Sequence, residues 1–240
     1  MILEAATAHE VLAQLKDIDT KTITFIDVDD TLITPRSTTF RAAPYNKLID
    51  EIKTNKHLYA NYEKIVSNWR LQRQVMLLDE AWPEVLGELK DKFVVFALTK
   101  MDIGMFGNIS SMEEWRYNEL SSLGLFFTDE YDLPPTSPNR TAYHKGIFFA
   151  GDNSKSQTIA DYLPYLGGVN HIALIDDRIE HLLDVENFCQ EQQLDFTGIL
   201  FKGLDKLTDM PNPEIAKFQR QYLLEKTQWL EDDEVAALVE

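Results

Sequence analysis

The chain has 240 residues, 44% of them hydrophobic and 26% charged, which suits one sizeable globular core and excludes a wholly disordered polymer. Its net charge of −17 argues against a general nucleic-acid binder, because duplex affinity comes mostly from Lys and Arg on phosphates. No apolar run approaches the roughly 20 residues that span a bilayer, and Met1-Ile2-Leu3-Glu4 lacks the basic patch and long apolar stretch of a secretory signal, so a cytoplasmic location is expected.

In chain order, residues 4–17 read as a short amphipathic helix, and Thr22-Ile23-Thr24-Phe25-Ile26-Asp27-Val28 as a buried strand rich in β-branched and aromatic residues. Residues 45–82 carry apolar side chains at helical spacing, and Pro83 suits the first turn of a further helix to about Lys90. Phe93 to Leu98 is a second buried strand. A helix over 111–122 ends at Gly124, and Leu125-Phe126-Phe127 reads as a short strand. The proline-bearing stretch 129–140 is a loop, followed by a short apolar run, Gly146 to Ala150. Residues 155–166 and 179–193 read as helices, with strands at His171–Ile175 and Thr197–Phe201. Pro211 and Pro213 precede a final helix of about 25 residues, with Ile215, Phe218, Tyr222 and Trp229 on one face and the acidic run Glu231-Asp232-Asp233-Glu234 near its end. The lone cysteine, Cys189, reads as an ordinary buried or half-buried thiol and can form no intrachain disulfide.

Strands alternating with helices imply an α/β fold, a parallel sheet with helices on both faces. Ligands in such folds bind at the carboxyl ends of the strands, where strand order reverses. The polar residues at those ends are therefore the candidates for chemistry. The first strand ends in Asp27, Asp29 and Asp30, carboxylates that repel one another unless a cation or a proton is shared. Asp27 and Asp29 reach one site only if the chain bends between them. The second strand ends in Thr99, a hydroxyl able to donate to a phosphate oxygen, and Lys100 follows it. The third ends in Asp176-Asp177, which with Asp27 and Asp29 makes a hard-oxygen pocket suited to Mg²⁺. Lys155, at the start of the helix leading into that strand, is a cation able to offset these charges. Lys145 competes with it for this part, but it directly precedes an apolar run rather than opening a helix, so Lys155 is preferred.

These residues fall in a recognisable order. Phe25-Ile26-Asp27-Val28-Asp29-Asp30-Thr31-Leu32 resembles the first motif of the haloacid dehalogenase (HAD) superfamily, Asp-x-Asp-x-Thr after an apolar strand. Phe96-Ala97-Leu98-Thr99, Lys155 and Ile172-Ala173-Leu174-Ile175-Asp176-Asp177 resemble the second, third and fourth motifs, and together they cover residues 22 to 178. The stretches 93–99, 123–127, 143–155 and 171–177 also look loosely like an uncharacterised bacterial subgroup of that superfamily. The resemblance implies a HAD-like Rossmannoid core and a Mg²⁺-dependent phosphohydrolase acting on a small phosphorylated substrate. In it Asp27 is the nucleophile that forms an aspartyl-phosphate, Asp29 the acid and base, and Thr31 a brace for the turn. Thr99 and Lys155 hold phosphoryl oxygens. Asp27, Asp29 through its backbone carbonyl, Asp176 and Asp177 surround the metal. Asp29 disfavours the dehalogenase branch, which lacks a second aspartate. A phosphomutase shares all four motifs.

The core is expected over 1–33 and 89–210, with a small helical cap inserted over 34–88 and a C-terminal amphipathic helix over 211–240. Between Thr34 and Arg73 stand eight basic and three acidic residues, a local +5 in an acidic chain. Arg70 and Arg73 are accordingly candidates for contact with the non-reacting part of the substrate; the plainer reading of such a run is a solvated helical face. The rival from another class is an inactive HAD-fold interaction or effector protein, meeting a protein partner through the cap or the acidic C-terminal segment.

Overall fold

A computed structural model describes residues 1–18 and 21–239. Its elements run β1 (Ile2–Ala5), α1 (Ala8–Leu15), β2 (Thr22–Ile26), β3 (Ile33–Pro35), α2 (Leu48–Thr54), α3 (Tyr62–Gln72) and β4 (Val75–Leu77). Then follow α4 (Trp82–Lys90), β5 (Val94–Thr99), α5 (Met112–Ser122), β6 (Ala142–His144), β7 (Ile147–Phe149) and α6 (Lys155–Leu166). The chain finishes with β8 (His171–Asp176), α7 (Ile179–Glu191), β9 (Asp195–Phe201), α8 (Pro213–Lys226) and α9 (Asp232–Val239). Among the described residues, no helix is long and apolar enough to cross a membrane.

The fold is α/β. Among the described residues, seven strands form one sheet in the order β1-β9-β8-β2-β5-β7-β6, parallel except for the β6–β7 pair. β2 lies between β5 and β8, and Phe25 is level with Phe96 on one side and Leu174 on the other. All five residues of β2 are buried, as a strand covered on both faces requires. Ile23, Phe25, Phe96, Leu98, Ile172 and Leu174 pack against Ile159 and Tyr162 of α6 and Leu182, Val185 and Cys189 of α7. Neighbouring residues point the other way. There Trp82 of α4 meets Phe201 of β9, ring centroids 5.3 Å apart. Burial pushes the Cys189 thiol up to about 12, so it is inert packing.

The chain divides into two compact units. One comprises Met1–Ile33, Leu77–Gly104 and Met112–Lys206 and holds the sheet. The other comprises Thr34–Met76, Met105–Ser111 and Leu207–Glu240. The expected boundaries shift accordingly. Residues 77–88 belong with the sheet, because Trp82, Val85, Leu86 and Leu89 of α4 are buried there. The C-terminal segment is no separate appendage. In the second unit Phe40 packs between the rings of Trp69 and Trp229, at 5.6 and 5.4 Å.

Several local expectations change. The helix expected from residue 4 starts only after Thr7, whose side chain accepts from the Glu10 amide; Glu4 and Ala5 belong instead to an edge strand, because β9 offers residues 2–5 a parallel ladder. The helical run expected over 45–82 breaks into short pieces, and Val75–Leu77 pairs with β3. Leu125-Phe126-Phe127 is not a strand. Thr128 attaches this segment to β5, its amide donating to Val95 O and its hydroxyl accepting from the Val95 amide, at 2.8 and 3.0 Å. The final helix is two helices, because Thr227 turns left-handed (φ 54°) and caps α8. Trp229 therefore lies between helices, and the acidic run opens α9 instead of closing a helix, where the dipole favours it.

The β6–β7 hairpin turns through Lys145 and Gly146, both at positive φ (46° and 81°). A Cβ on Gly146 would stand 2.7 Å from Cβ of Phe127. Gly146→Ala is expected to lower unfolding free energy by about 1–2 kcal/mol or more in urea titration, whereas Gly87→Ala, in a helix with open space around it, is expected to be neutral or stabilising.

Candidate active site at the carboxyl ends of the central strands

β5 and β8 leave β2 in opposite directions, so the carboxyl end of β2 is the point where strand order reverses. Asp27 stands there. Its amide continues the ladder to Ile175 O at 2.9 Å, which holds it beside Asp176. The chain then bends. The carbonyl of Val28 accepts from the amides of Thr31, Leu32 and Ile33, and Asp30 adopts positive φ (63°) while its amide bonds Ile33 O at 2.7 Å. Trp82 pins this turn, its indole N–H donating to Thr31 O at 3.0 Å. Thr31 in turn directs its hydroxyl at Asp27 Oδ2, 3.4 Å away.

Lys155 is the first residue of α6 and is buried. Ser154 caps the helix by accepting from the Gln157 amide, and Asp184 of α7 accepts from both the amide and the hydroxyl of Ser156. The ammonium so placed donates to Asp27 Oδ1 and to Asp176 Oδ2, the latter at 2.5 Å. Asp176 also accepts from the Arg178 amide at 3.0 Å and lies 3.0 and 3.1 Å from His181 Nδ1. Asp27, Asp176 and Asp177 each offer an oxygen within 4.8 Å of the others.

These positions carry an electrostatic imbalance. Three carboxylates face one ammonium, which leaves two negative charges in a largely buried space when all are ionised. Burial pushes Asp27 up to about 7; Lys155 opposes this, and the charges of Asp176 and Asp29 add to it. Burial, then Asp27, Asp176 and Asp30, push Asp177 up to about 8. Burial alone would also raise Asp176, but Lys155 and His181 outweigh it and hold that carboxyl below its ordinary range. Burial alone would discharge Lys155, yet its two carboxylates hold it above the ordinary lysine range. Oxygen donors with uncompensated negative charge fit a hard divalent cation.

The other candidates are placed as follows. Thr99 ends β5, buried, beside β2, and Lys100 follows it exposed. Asp29 lies on the turn after β2, paired with Arg116 at 2.7 Å. Lys145 is in the hairpin, 3.4 Å from Glu114, and Lys155 alone of the two lysines reaches Asp27. Arg70 and Arg73 lie in the second unit, buried, their guanidinium groups over the rings of Phe106 and Trp69 at 4.9 and 4.5 Å. The exposed charge expected at both is therefore replaced by packing. Glu231 and Asp232, expected near a helix end and offered by the rival reading to a protein partner, also turn inward. Asp232 accepts from Ser37, Thr38 and Gln219, and Glu231 from Trp229 and the Gln74 amide. Sequence reading missed Arg116 and His181. The signal for His181 is its place in the first turn of the helix after the acidic pair; Arg116 has none, since only the tertiary fold brings α5 to Asp29.

A family model described as a protein of unknown function, DUF2608, matches residues 4–236. The chain belongs to the DUF2608 family. An uncharacterised protein of Rickettsia prowazekii is 26% identical over 94% of this chain and 85% of its own length. Relatives from Chlamydia trachomatis and Chlamydia muridarum, 22% and 23% identical over 99% of this chain and 89% of theirs, are provisionally named outer membrane proteins. Those names overturn the cytoplasmic location expected from the sequence. No solved structure matches the chain.

The raised Asp177 carboxyl has a consequence for stability. A carboxyl whose folded pKa lies above its unfolded value of 3.8 adds stability below that value, lost as pH rises toward about 8. In chelator, the stability of Asp177→Asn relative to wild type is expected to grow between pH 5 and 8 by more than about 1 kcal/mol in denaturant titrations. A constant difference across that range would contradict the assignment.

Proposed function

We propose that the chain is a Mg²⁺-dependent phosphohydrolase of the HAD type, acting on a phosphate monoester through an aspartyl-phosphate. The observation that carries this reading is the junction of Asp27, Asp176 and Asp177 with Lys155 at the point where strand order reverses. It brings together the residues of three separate motifs, which supports a HAD-like core.

In this reading Asp27 Oδ attacks phosphorus in line with the ester oxygen, the P–O bond breaks, and Asp29 gives the leaving oxygen a proton. Asp29 then takes a proton from water as that water attacks the aspartyl-phosphate, which returns Asp27 and releases inorganic phosphate. Lys155 keeps Asp27 oriented and, with Thr99, holds phosphoryl oxygens. Thr31 braces the turn. Asp27, the backbone carbonyl of Asp29, Asp176 and Asp177 would hold the Mg²⁺, which offsets the repulsion between an anionic nucleophile and an anionic ester. Dividing the reaction through a covalent intermediate replaces one very slow step by two easier ones. The inward-turned Glu231 and Asp232 give the rival reading, an acidic recognition tail, less surface to use.

The test is hydrolysis of p-nitrophenyl phosphate and a panel of alkyl and sugar phosphates, with Mg²⁺ and with chelator. Turnover is expected only with the metal, and Asp27→Asn is expected to lower kcat by more than about 1000-fold. Metal-dependent turnover no greater than that of the variant, across the whole panel, would favour a binding protein on the same fold.

A further inference from the structure

We propose that Arg116 is a positioning residue that holds Asp29 for proton transfer to the leaving oxygen, an inference that rests on the hydrolase reading above. Asp29 sits on the turn after β2 with its side chain 43% exposed, unlike the buried Asp27 and Asp176. A carboxylate so placed samples several rotamers, and proton transfer requires one of them within hydrogen-bond reach of the reacting oxygen. Arg116 Nη2 bonds Asp29 Oδ2 at 2.7 Å, a charge-assisted contact that selects one orientation.

Arg116 is itself held from two other directions. Its side chain is 3% exposed. Nη1 donates to Glu119 Oε2 at 2.6 Å, three residues along α5, and Nε faces Met101 Sδ at 3.4 Å, two residues past Thr99. A lone exposed ion pair is worth little and fixes little. A buried guanidinium is different: without its carboxylates it would be a costly unpaired charge, so its position is tightly specified. The group thereby ties the turn after β2 to α5 and to the end of β5. Because Nε, Nη1 and Nη2 each have a protein partner, Arg116 acts on substrate through Asp29 rather than by direct contact.

A leaving-group comparison separates positioning from general structural support. p-Nitrophenolate departs without a proton, whereas an alkoxide needs one. The quantity to measure is kcat/KM, which covers steps through departure of the leaving group, with Mg²⁺, for p-nitrophenyl phosphate and for the best alkyl phosphate of the panel. Arg116→Met is expected to lower the alkyl value by about 100-fold and the aryl value by less than about 3-fold. Glu119→Gln, which loosens Arg116 without touching Asp29, is expected to show the same selectivity more weakly, and Arg116→Lys to recover part of the alkyl activity. Should Arg116→Met fail to fold, these two variants carry the comparison. Equal losses on both esters, or none, would overturn the inference while leaving the hydrolase reading intact, as would wild-type turnover of the aryl ester with no alkyl ester accepted. No metal-dependent turnover of any ester would overturn both.

Discussion

The site is organised by one buried cation. The Lys155 ammonium lies between Asp27 and Asp176, which stand at the ends of adjacent strands. Two like charges 4 Å apart repel by about 4 kcal/mol at an effective dielectric constant near 20, and Asp177 adds a third. Without the lysine, the carboxyl ends of β2 and β8 could stay ionised side by side only with another cation. With it, Asp176 is held ionised, while Asp27 and Asp177 bear the unrelieved repulsion and are pushed up to about 7 and about 8. The lysine thus offsets part of the repulsion among the three carboxylates and leaves the rest uncompensated.

Placing that ammonium requires much of the first unit. Lys155 is 128 positions from Asp27. They meet because β8 pairs directly with β2, and because α6 packs on the sheet face that carries Phe25 and Leu174. The Ser154 cap and the Asp184 clamp on Ser156 then set the first turn of α6. Trp82 links the opposite layer to the turn beyond Asp27 through its bond to Thr31 O. Apolar burial of the sheet and placement of the charges are therefore the same structural event, and a packing defect in either layer is a defect in the site.

The second unit is stabilised differently. Its interior mixes rings with polar networks: Phe40 between two tryptophans, Arg73 over one of them, and Asp232 accepting from Ser37, Thr38 and Gln219. Three stretches of chain far apart in sequence build it. A charge count along the sequence cannot separate a solvated arginine from one lying flat on a ring, which is why Arg70 and Arg73 read as surface groups until their neighbours were known.

The sequence alone determined the α/β class and the candidate chemical residues. The runs 23–26, 94–98 and 172–175 are apolar but for Thr24 because both faces of the sheet are covered, and that pattern is local. Asp27, Thr99 and Asp176 were legible because each interrupts or ends such a run. Tertiary structure decided what depends on a partner distant in the chain. Ile2–Ala5 became a strand because β9 lay beside it; Leu125–Phe127 did not, because the Thr128 hydroxyl took the Val95 amide; and the acidic run at 231–234 opens a helix because Thr227 ended the previous one. The contact of Lys155 with Asp27, and the grip of Arg116 on Asp29, depend on the fold in the same way: residue types are written locally, but an ion pair exists only where the fold closes the distance.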